Sequence, residues 1–476
     1  LPPELLNGNK VQFELTEDFL TKLQTAIDSN DTAYVETQLK ELYPPDIAEI
    51  FNKLQLDQVK FLYKYLDEQI AADVLVELEE DVREDILASL TSKEIAEQLI
   101  DNMDSDDAAD VIAELPDNVQ DEVLSHMEDS EQASDIVELL NYDENTAGGL
   151  MATELVRVHV NSSAIECVRE IREQADYVEN IYAIYVVDDN EKLVGLLHLK
   201  KLIVSSTRSK VSEIYDTKVI SVKTNTDAEE VANLMDKYNL VVLPVVDALG
   251  RLVGRITIDD VVDVRREEET EDLQKMGGME ALDEPYMNMS IWGILRKRAG
   301  WLVILFLGET LTASAMSFFE NEIAKAVILA MFIPLIISSG GNTGSQASTL
   351  VIRALALGEI TVRDWWTIIR KEIRVGLLLG LLLGVIGFAR VALWAQFSPS
   401  FYGPHWMQIA MTVGISLVGV VLWGNTIGSL FPLILKRVGL DPAVSSAPFV
   451  ATLVDITGLV IYFTVASLLL GSLILS

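Results

Sequence analysis

Two rhythms of apolar residues divide this chain near residue 290. Beyond about Gly300 the apolar runs approach the roughly 20 residues needed to cross the hydrocarbon of a bilayer. Five spans are predicted, at about 299–319, 325–348, 373–396, 406–434 and 446–474. Ahead of them the pattern is short and amphipathic. Ala72-Asp73-Val74-Leu75-Val76-Glu77-Leu78 recurs as Ala109-Asp110-Val111-Ile112-Ala113-Glu114-Leu115, with a looser copy at Ala48–Leu54. The first two lead into second short segments, Val82–Leu87 and Val119–Leu124. Helix pairs that repeat an apolar face stack into a superhelical array, predicted here over residues 1–140.

Residues 141–258 change to alternating strand and helix, in two copies. The clearer copy reads as a strand at Val219–Val222, a helix from Asp227, a buried strand at Val241–Val246, a turn at Asp247–Gly250, a strand at Leu252–Ile256 and a helix starting at Thr257. The other copy repeats that order from Leu155–Val160 through Ile181–Val187 to Leu193–Leu197. A long charged helix over 259–290 joins this module to the spans, which occupy 291–476. The fold class expected is therefore a multidomain membrane protein: an all-α superhelical domain, an α/β tandem pair, a connecting helix and an α-helical bundle of five spans.

Charge sharpens the division. Of 73 acidic and 36 basic residues, only eight acids but twelve Lys/Arg lie beyond residue 290. So acidic a front repels nucleic acid and anionic headgroups and attracts cations. The basic residues also orient the spans. Arg296, Lys297 and Arg298 precede the first, Arg353 to Arg374 lie between the second and third, and Lys436 and Arg437 lie between the fourth and fifth. The opposite loops hold only Lys325 and the neutral stretch around Ser398–Pro404. This places the acidic front in the cytoplasm and the C-terminus outside, in a plasma or inner membrane and in contact with its lipid. Leu1-Pro2-Pro3 opens no basic-then-apolar pattern, so no signal peptide is expected. The single Cys167 excludes a thiolate zinc cluster, and the four scattered histidines form no catalytic pattern; an enzyme is not expected.

The chemistry concentrates in a few places. Asp455 stands inside the fifth span, where a carboxylate costs about 2.5–3.5 kcal/mol even on gentle insertion scales. Such a residue faces a water path or a partner, and no other span carries a central base. The second span holds Gly340-Gly341-Asn342-Thr343-Gly344-Ser345-Gln346, and the fourth holds Gly424-Asn425-Thr426-Ile427-Gly428 before Pro432. These small and polar residues either pack helix against helix or line a cavity with carbonyl oxygens. Oxygen donors without thiol or imidazole suit a hard, hydrated divalent ion such as Mg²⁺. Asp106 and Asp110, four apart, share one helical face; spacing leaves open whether solvent or a cation separates them.

The strand and helix order of 141–258 resembles a tandem pair of CBS domains, which bind adenine nucleotides. Thr257 and Asp260 match that family's hydroxyl and ribose-binding acid, implying one ATP site, whereas His198 and Lys201 stand at those places in the first copy. Taken whole, the chain resembles the MgtE family of magnesium channels. The most specific motifs are Gly340–Gln346, Asn425–Gly428 before Pro432, and Ala451-Thr452-Leu453-Val454-Asp455-Ile456-Thr457-Gly458. The resemblance implies a homodimer whose pore is lined by Asp455 together with Gly341, Asn342, Asn425, Ala451 and Thr452. It implies Mg²⁺-sensing ligands at Asp106, Asp110, the Gly149 carbonyl, Glu229, and Asp260, Asp263, Glu268, Glu271 and Asp272 of a "plug" helix. Asn239 stands where the family pattern suggests Asp, and Ala447 where it suggests a polar residue. The expected function is a Mg²⁺ channel closed by cytosolic Mg²⁺. The rival readings are an ion-coupled secondary transporter and a membrane-tethered adenylate sensor.

Overall fold

The computed structural model of the chain describes residues 13–174, 178, 180–282, 286–287, 289–320 and 327–474. Leu1-Pro2-Pro3 and Lys325, used above, lie outside the described residues. The chain forms two compact units, 1–266 and 267–476.

The first unit opens with ten short helices: α1 (Glu17–Asp28), α2 (Thr32–Leu39), α3 (Pro44–Phe51), α4 (Leu56–Tyr63), α5 (Glu68–Val76), α6 (Glu80–Leu87), α7 (Ser92–Gln98), α8 (Ser105–Ala113), α9 (Asp117–His126) and α10 (Ser130–Leu139). Local signals set their ends. Thr16, Asp31, Asp67 and Asp129 cap α1, α2, α5 and α10 by accepting backbone N–H groups, and Thr91 forms a reciprocal capping box with Glu94 at α7. The sequence repeat is the core: Ala72, Val74, Leu75 and Leu78 in one copy and Ala109, Val111, Ile112 and Leu115 in the next are all buried in one continuous cluster.

Two three-stranded sheets follow with the same topology. In the first, β1 (Val156–His159) runs parallel to β2 (Ile184–Val187), which pairs antiparallel with β3 (Leu193–Leu197). In the second, β4 (Val222–Lys223), β5 (Val242–Val246) and β6 (Leu252–Thr257) repeat the arrangement. Helices α11 (Ala164–Gln174) and α14 (Ala228–Tyr238) link the parallel strands, as a parallel pair requires. Short helices α12 (Leu199–Val204) and α13 (Val211–Ile214) join the two copies. β4 is shorter than the predicted Val219–Val222, because only Val222 and Lys223 find partners on β5. Asn239 ends α14 with φ of 51°. Its amide tolerates the left-handed cap better than most side chains, a local reason for Asn at this position.

The second unit contains five helices long and apolar enough to cross a membrane. The spans are α16 (Ile291–Phe318), α17 (Ile333–Ala356), α18 (Trp365–Phe397), α19 (Trp406–Arg437) and α20 (Ala447–Ile474). A single helical turn at Val327–Ala330 precedes α17. Helix α15 (Ile258–Met276) begins in the first unit and ends in the second. The glycine motif of the second span is regular helix, and its glycines take the packing alternative. A Cβ built on Gly428 would lie 2.1 Å from the Gly344 carbonyl oxygen, and one on Gly424 2.4 Å from that of Gly340. Spans two and four therefore touch backbone to backbone, the close approach that small residues permit in a membrane.

That contact makes a prediction. Gly428→Ala forces the two helices apart and should lower stability in detergent by about 1–3 kcal/mol, the usual cost of overpacking. Gly300→Ala meets only a side-chain oxygen of Glu280 at 3.5 Å and should be nearly neutral. Thermal unfolding followed by size-exclusion chromatography separates the two; equal midpoints would remove the argument for the glycine seam.

Candidate ion path and acid cluster

The seam between spans two and four fixes the surroundings of Asp455. Gly340 also packs against Val454, and a Cβ on Gly341 would lie 3.4 Å from the Ala451 Cβ and 3.7 Å from Asp455 Oδ1. Glycine at 341 thus keeps the second span's backbone beside the carboxylate. The entry to the fifth span is tied down by serines: Ser345 donates to the Ala447 carbonyl at 3.0 Å and Ser348 to that of Ser445 at 3.0 Å. Asp455 is the ninth residue of α20, roughly 12 Å along the helix. No Lys or Arg pairs with it among the described residues; Arg390 lies over the Phe332 ring instead. Asp455, Gly341, Ala451 and Thr452 are therefore brought together. Asn342 is exposed, with only a 3.5 Å contact to Ser338. Asn425 is buried against the third span, where its amide donates to the Glu372 carbonyl and carboxylate at 2.7 and 2.8 Å.

The first unit contains an acid cluster at the start of α8. Asp106, Asp107 and Asp260 converge with Asp104 in a low-dielectric setting. Burial first, then Asp260, holds the Asp106 carboxyl well above the usual range. The same two causes push Asp107 up to about 7. Asp260 is pushed up to about 6 by burial, against the lowering hydrogen bonds it accepts from the Thr257 N–H and hydroxyl, both at 2.9 Å. Those bonds cap α15 and occupy one oxygen of the pair suggested for a nucleotide. Asp110 keeps an exposed edge but is also raised, first by the protein mass around it and then by Glu144. Gly149 packs against the same turn, its Cβ position 2.6 Å from the Asp143 carbonyl oxygen.

Sequence reasoning missed the groups that hold this cluster. Arg255, buried on β6, donates to Asp104 at 3.2 Å and stacks on Tyr182 at 5.7 Å. Glu154 accepts from the Ser105 N–H and hydroxyl at the N-terminus of α8. These partners are 151 and 49 residues apart, so no local pattern announces them. Among the described residues, no three His, Cys, Asp or Glu side chains stand close enough to hold a metal ion. What the cluster offers is a set of like charges held together in partly buried surroundings.

The other predicted sensor residues are dispersed. Glu229 is exposed at the start of α14, its backbone N–H bonded to the cap Asp227. Asp263 pairs with Arg266 at 3.0 Å and acts electrostatically on Glu77 of the superhelical domain. Glu268 and Asp272 lie in the later turns of α15, and Glu271 pairs there with Lys275. Lys275 also reaches Asp441, which precedes the fifth span, at 2.7 Å. Gly278, at φ +77°, then packs on Pro448 and Ser446. The last turn of α15 is thus latched to the segment that leads into the Asp455 helix.

Three family models match: the MgtE divalent cation transporter over residues 333–465, the MgtE intracellular N domain over 42–145, and the CBS domain over 147–206 and 211–267. The magnesium transporter MgtE of Thermus thermophilus is 38% identical over 96% of this chain and 99% of its own length. That of Enterococcus faecalis is 34% identical over 69% of this chain and 70% of its own length. Among solved structures, the cytosolic domain of the Mg²⁺ channel MgtE in complex with ATP is 36% identical and covers 52% of this chain and 99% of that one, with a TM-score of 0.48. The family matches and the five apolar helices together show that the chain is a multi-pass membrane protein of the MgtE family of magnesium transporters.

Proposed function

We propose that the chain is a Mg²⁺-selective channel that admits magnesium at Asp455 and is held shut when cytosolic Mg²⁺ binds the acidic residues of the first unit and of α15. The observation that carries this reading is the Asp455 carboxylate, paired with no base among the described residues and set beside the Gly341 backbone. A carboxylate in that position binds a hydrated divalent ion through its water shell, since Mg²⁺ gives up water reluctantly. The protein acts as a homodimer in the cell's inner or plasma membrane, with Asp455 of both subunits facing one hydrated ion on the two-fold axis. The basic loops put the N-terminal domains in the cytoplasm and the C-terminus outside.

Gating follows from charge. Without Mg²⁺, Asp106, Asp107, Asp110 and Asp260 repel one another in partly buried surroundings. Mg²⁺ bridging them, with the Gly149 carbonyl as a further ligand, favours the packed state. Asp263, Glu268, Glu271, Asp272 and Glu229 supply further ligands. Helix α15 carries Asp260 at one end and the Lys275–Asp441 latch at the other, so it joins the sensor to the fifth span. A ligand that binds one state alone shifts the equilibrium by its differential affinity, and several linked sites steepen the response. ATP at the Thr257 and Asp260 end of the CBS pair tunes that response, in exchange for the bonds Asp260 accepts from Thr257.

Three measurements test this. Asp455→Ala should lower Mg²⁺ uptake into proteoliposomes by roughly tenfold or more, the order expected when an ion loses an intramembrane charge partner; uptake equal to wild type would remove Asp455 from the path. Patch recordings should show that Mg²⁺ inhibition disappears when Asp260, Asp263, Glu268, Glu271 and Asp272 are neutralised together. Inhibition that survives unchanged would refute the gate, and uptake without channel currents would favour a carrier. The raised carboxyls also set a pH dependence. Asp107 and Asp260 take protons more readily folded, near pH 7 and 6, than the roughly 3.9 of an unfolded Asp. Their contribution to stability is therefore complete below about pH 4 and lost as pH rises through their folded values. Mg²⁺ replaces those protons, so it should raise the unfolding temperature by several degrees at pH 8 and little at pH 5.5. Equal Mg²⁺ stabilisation at both would contradict the assignment.

A further inference from the structure

The first span carries an acid that the reading above leaves unused. Glu309 lies eleven residues beyond Arg298, roughly 16 Å further along α16 and within its apolar run. Ionisable groups at such depth are rare and normally mark an ion or substrate pathway. No Lys or Arg forms an ion pair with Glu309 among the described residues. Its neighbour Gly308 brings spans one and five together: a Cβ there would lie 2.7 Å from the Thr452 Cγ2. Glu309 and Thr452 line one open cavity, and Arg298 together with apolar side chains of α16 makes up the rest of its wall. Thr452 stands one turn before Asp455 on α20.

A second, independent observation lies one turn further on. Thr312 is buried, with 9% exposure, and its hydroxyl has no hydrogen-bond partner. A buried hydroxyl left unbonded is costly, and an apolar side chain of the same shape would avoid that cost. Thr312 is not part of the cavity wall but stands one turn beyond Glu309 on the same helix, so an acid without a base and an unbonded hydroxyl follow each other along α16, as they would if a hydrated cation passes them.

We propose that Glu309 is a second ion-handling carboxylate of the transport path, sharing a hydrated divalent cation with Asp455 while Thr312 takes a hydrogen bond with the ion's water shell. This rests on the reading of Asp455 as the pore residue. Because Glu309 is exposed at the side of the Asp455 helix, its charge concentrates the ion ahead of the principal site. Its loss therefore raises the apparent KM more than it lowers the maximal rate.

The test is Mg²⁺ uptake into proteoliposomes by wild type, Glu309→Gln, Glu309→Asp, Thr312→Val and Asp455→Ala. Glu309→Gln should raise KM about tenfold, the order for one charge acting on a divalent ion across a few ångströms of water-like medium. It should weaken block by hexaamminecobalt(III), a stand-in for hydrated Mg²⁺, by a similar factor. Glu309→Asp should restore both in large part, which a merely structural role would not give. Thr312→Val should raise KM while leaving the unfolding temperature unchanged or higher, and it decides the matter should Glu309→Gln fail to fold. KM and block within twofold of wild type in Glu309→Gln, or in Thr312→Val in that event, overturn the proposal if Asp455→Ala abolishes uptake. Wild-type uptake by Asp455→Ala instead overturns the Asp455 reading, and this proposal with it.

Discussion

A carboxylate cannot rest in hydrocarbon without water, a base or an ion beside it, and the second unit is arranged around that constraint. Asp455 has no base among the described residues. Its neighbours are small: Gly341 on the second span, and Ala451 one turn back on its own. That space exists because spans two and four meet through Gly340, Gly344, Gly424 and Gly428, backbone against backbone. Larger residues along that seam would move the second span and with it the wall facing Asp455. The serine bonds from Ser345 and Ser348 then fix where the fifth span begins. Packing and chemistry are one design here, because the residues that let the helices approach also keep the carboxylate accessible.

The first unit meets the opposite problem. Its acids are crowded by choice of sequence, four of them within Asp104–Asp110, and folding then brings Asp260 against them. Arg255 offsets part of this charge through Asp104, and the Ser105 bonds to Glu154 hold the start of α8 in place. With Arg255 beside Asp104 and Arg83 acting on Asp110, the cluster remains short of positive charge among the described residues. A soluble domain built only for stability would bury apolar residues there instead.

How much of this was legible in the sequence follows from distance along the chain. The helical repeat, the two strand and helix copies and the apolar spans are periodic signals within windows of 10 to 40 residues, and all have counterparts in the structure. Asp455 stood out because burial cost singles out one acid in an apolar run. The glycine motifs were legible as chemistry but not as geometry: a sequence cannot say whether glycines open a helix or press two together, and here they press. Arg255, Glu154 and the Lys275–Asp441 pair were invisible, since each meets a partner 49 to 166 residues away. Asn425 was read as a pore residue through its amide oxygen, and the structure adds that its amide nitrogen is engaged by Glu372, 53 residues away and so not announced by any local pattern. Glu309 was counted as a charge, and only the approach of Gly308 to Thr452 gives it a neighbour that matters.

Helix α15 is where the two physical problems meet. Its first turn is capped by Asp260 through Thr257, so the residue that starts the helix is also a member of the acid cluster. Its last turn holds Lys275 between Glu271 and Asp441. A helix is stiff over 19 residues because each turn is bonded to the next. In the gate proposed above, this helix is the element that carries a change of charge at Asp260 toward the segment leading to Asp455, a role that a flexible linker would not serve.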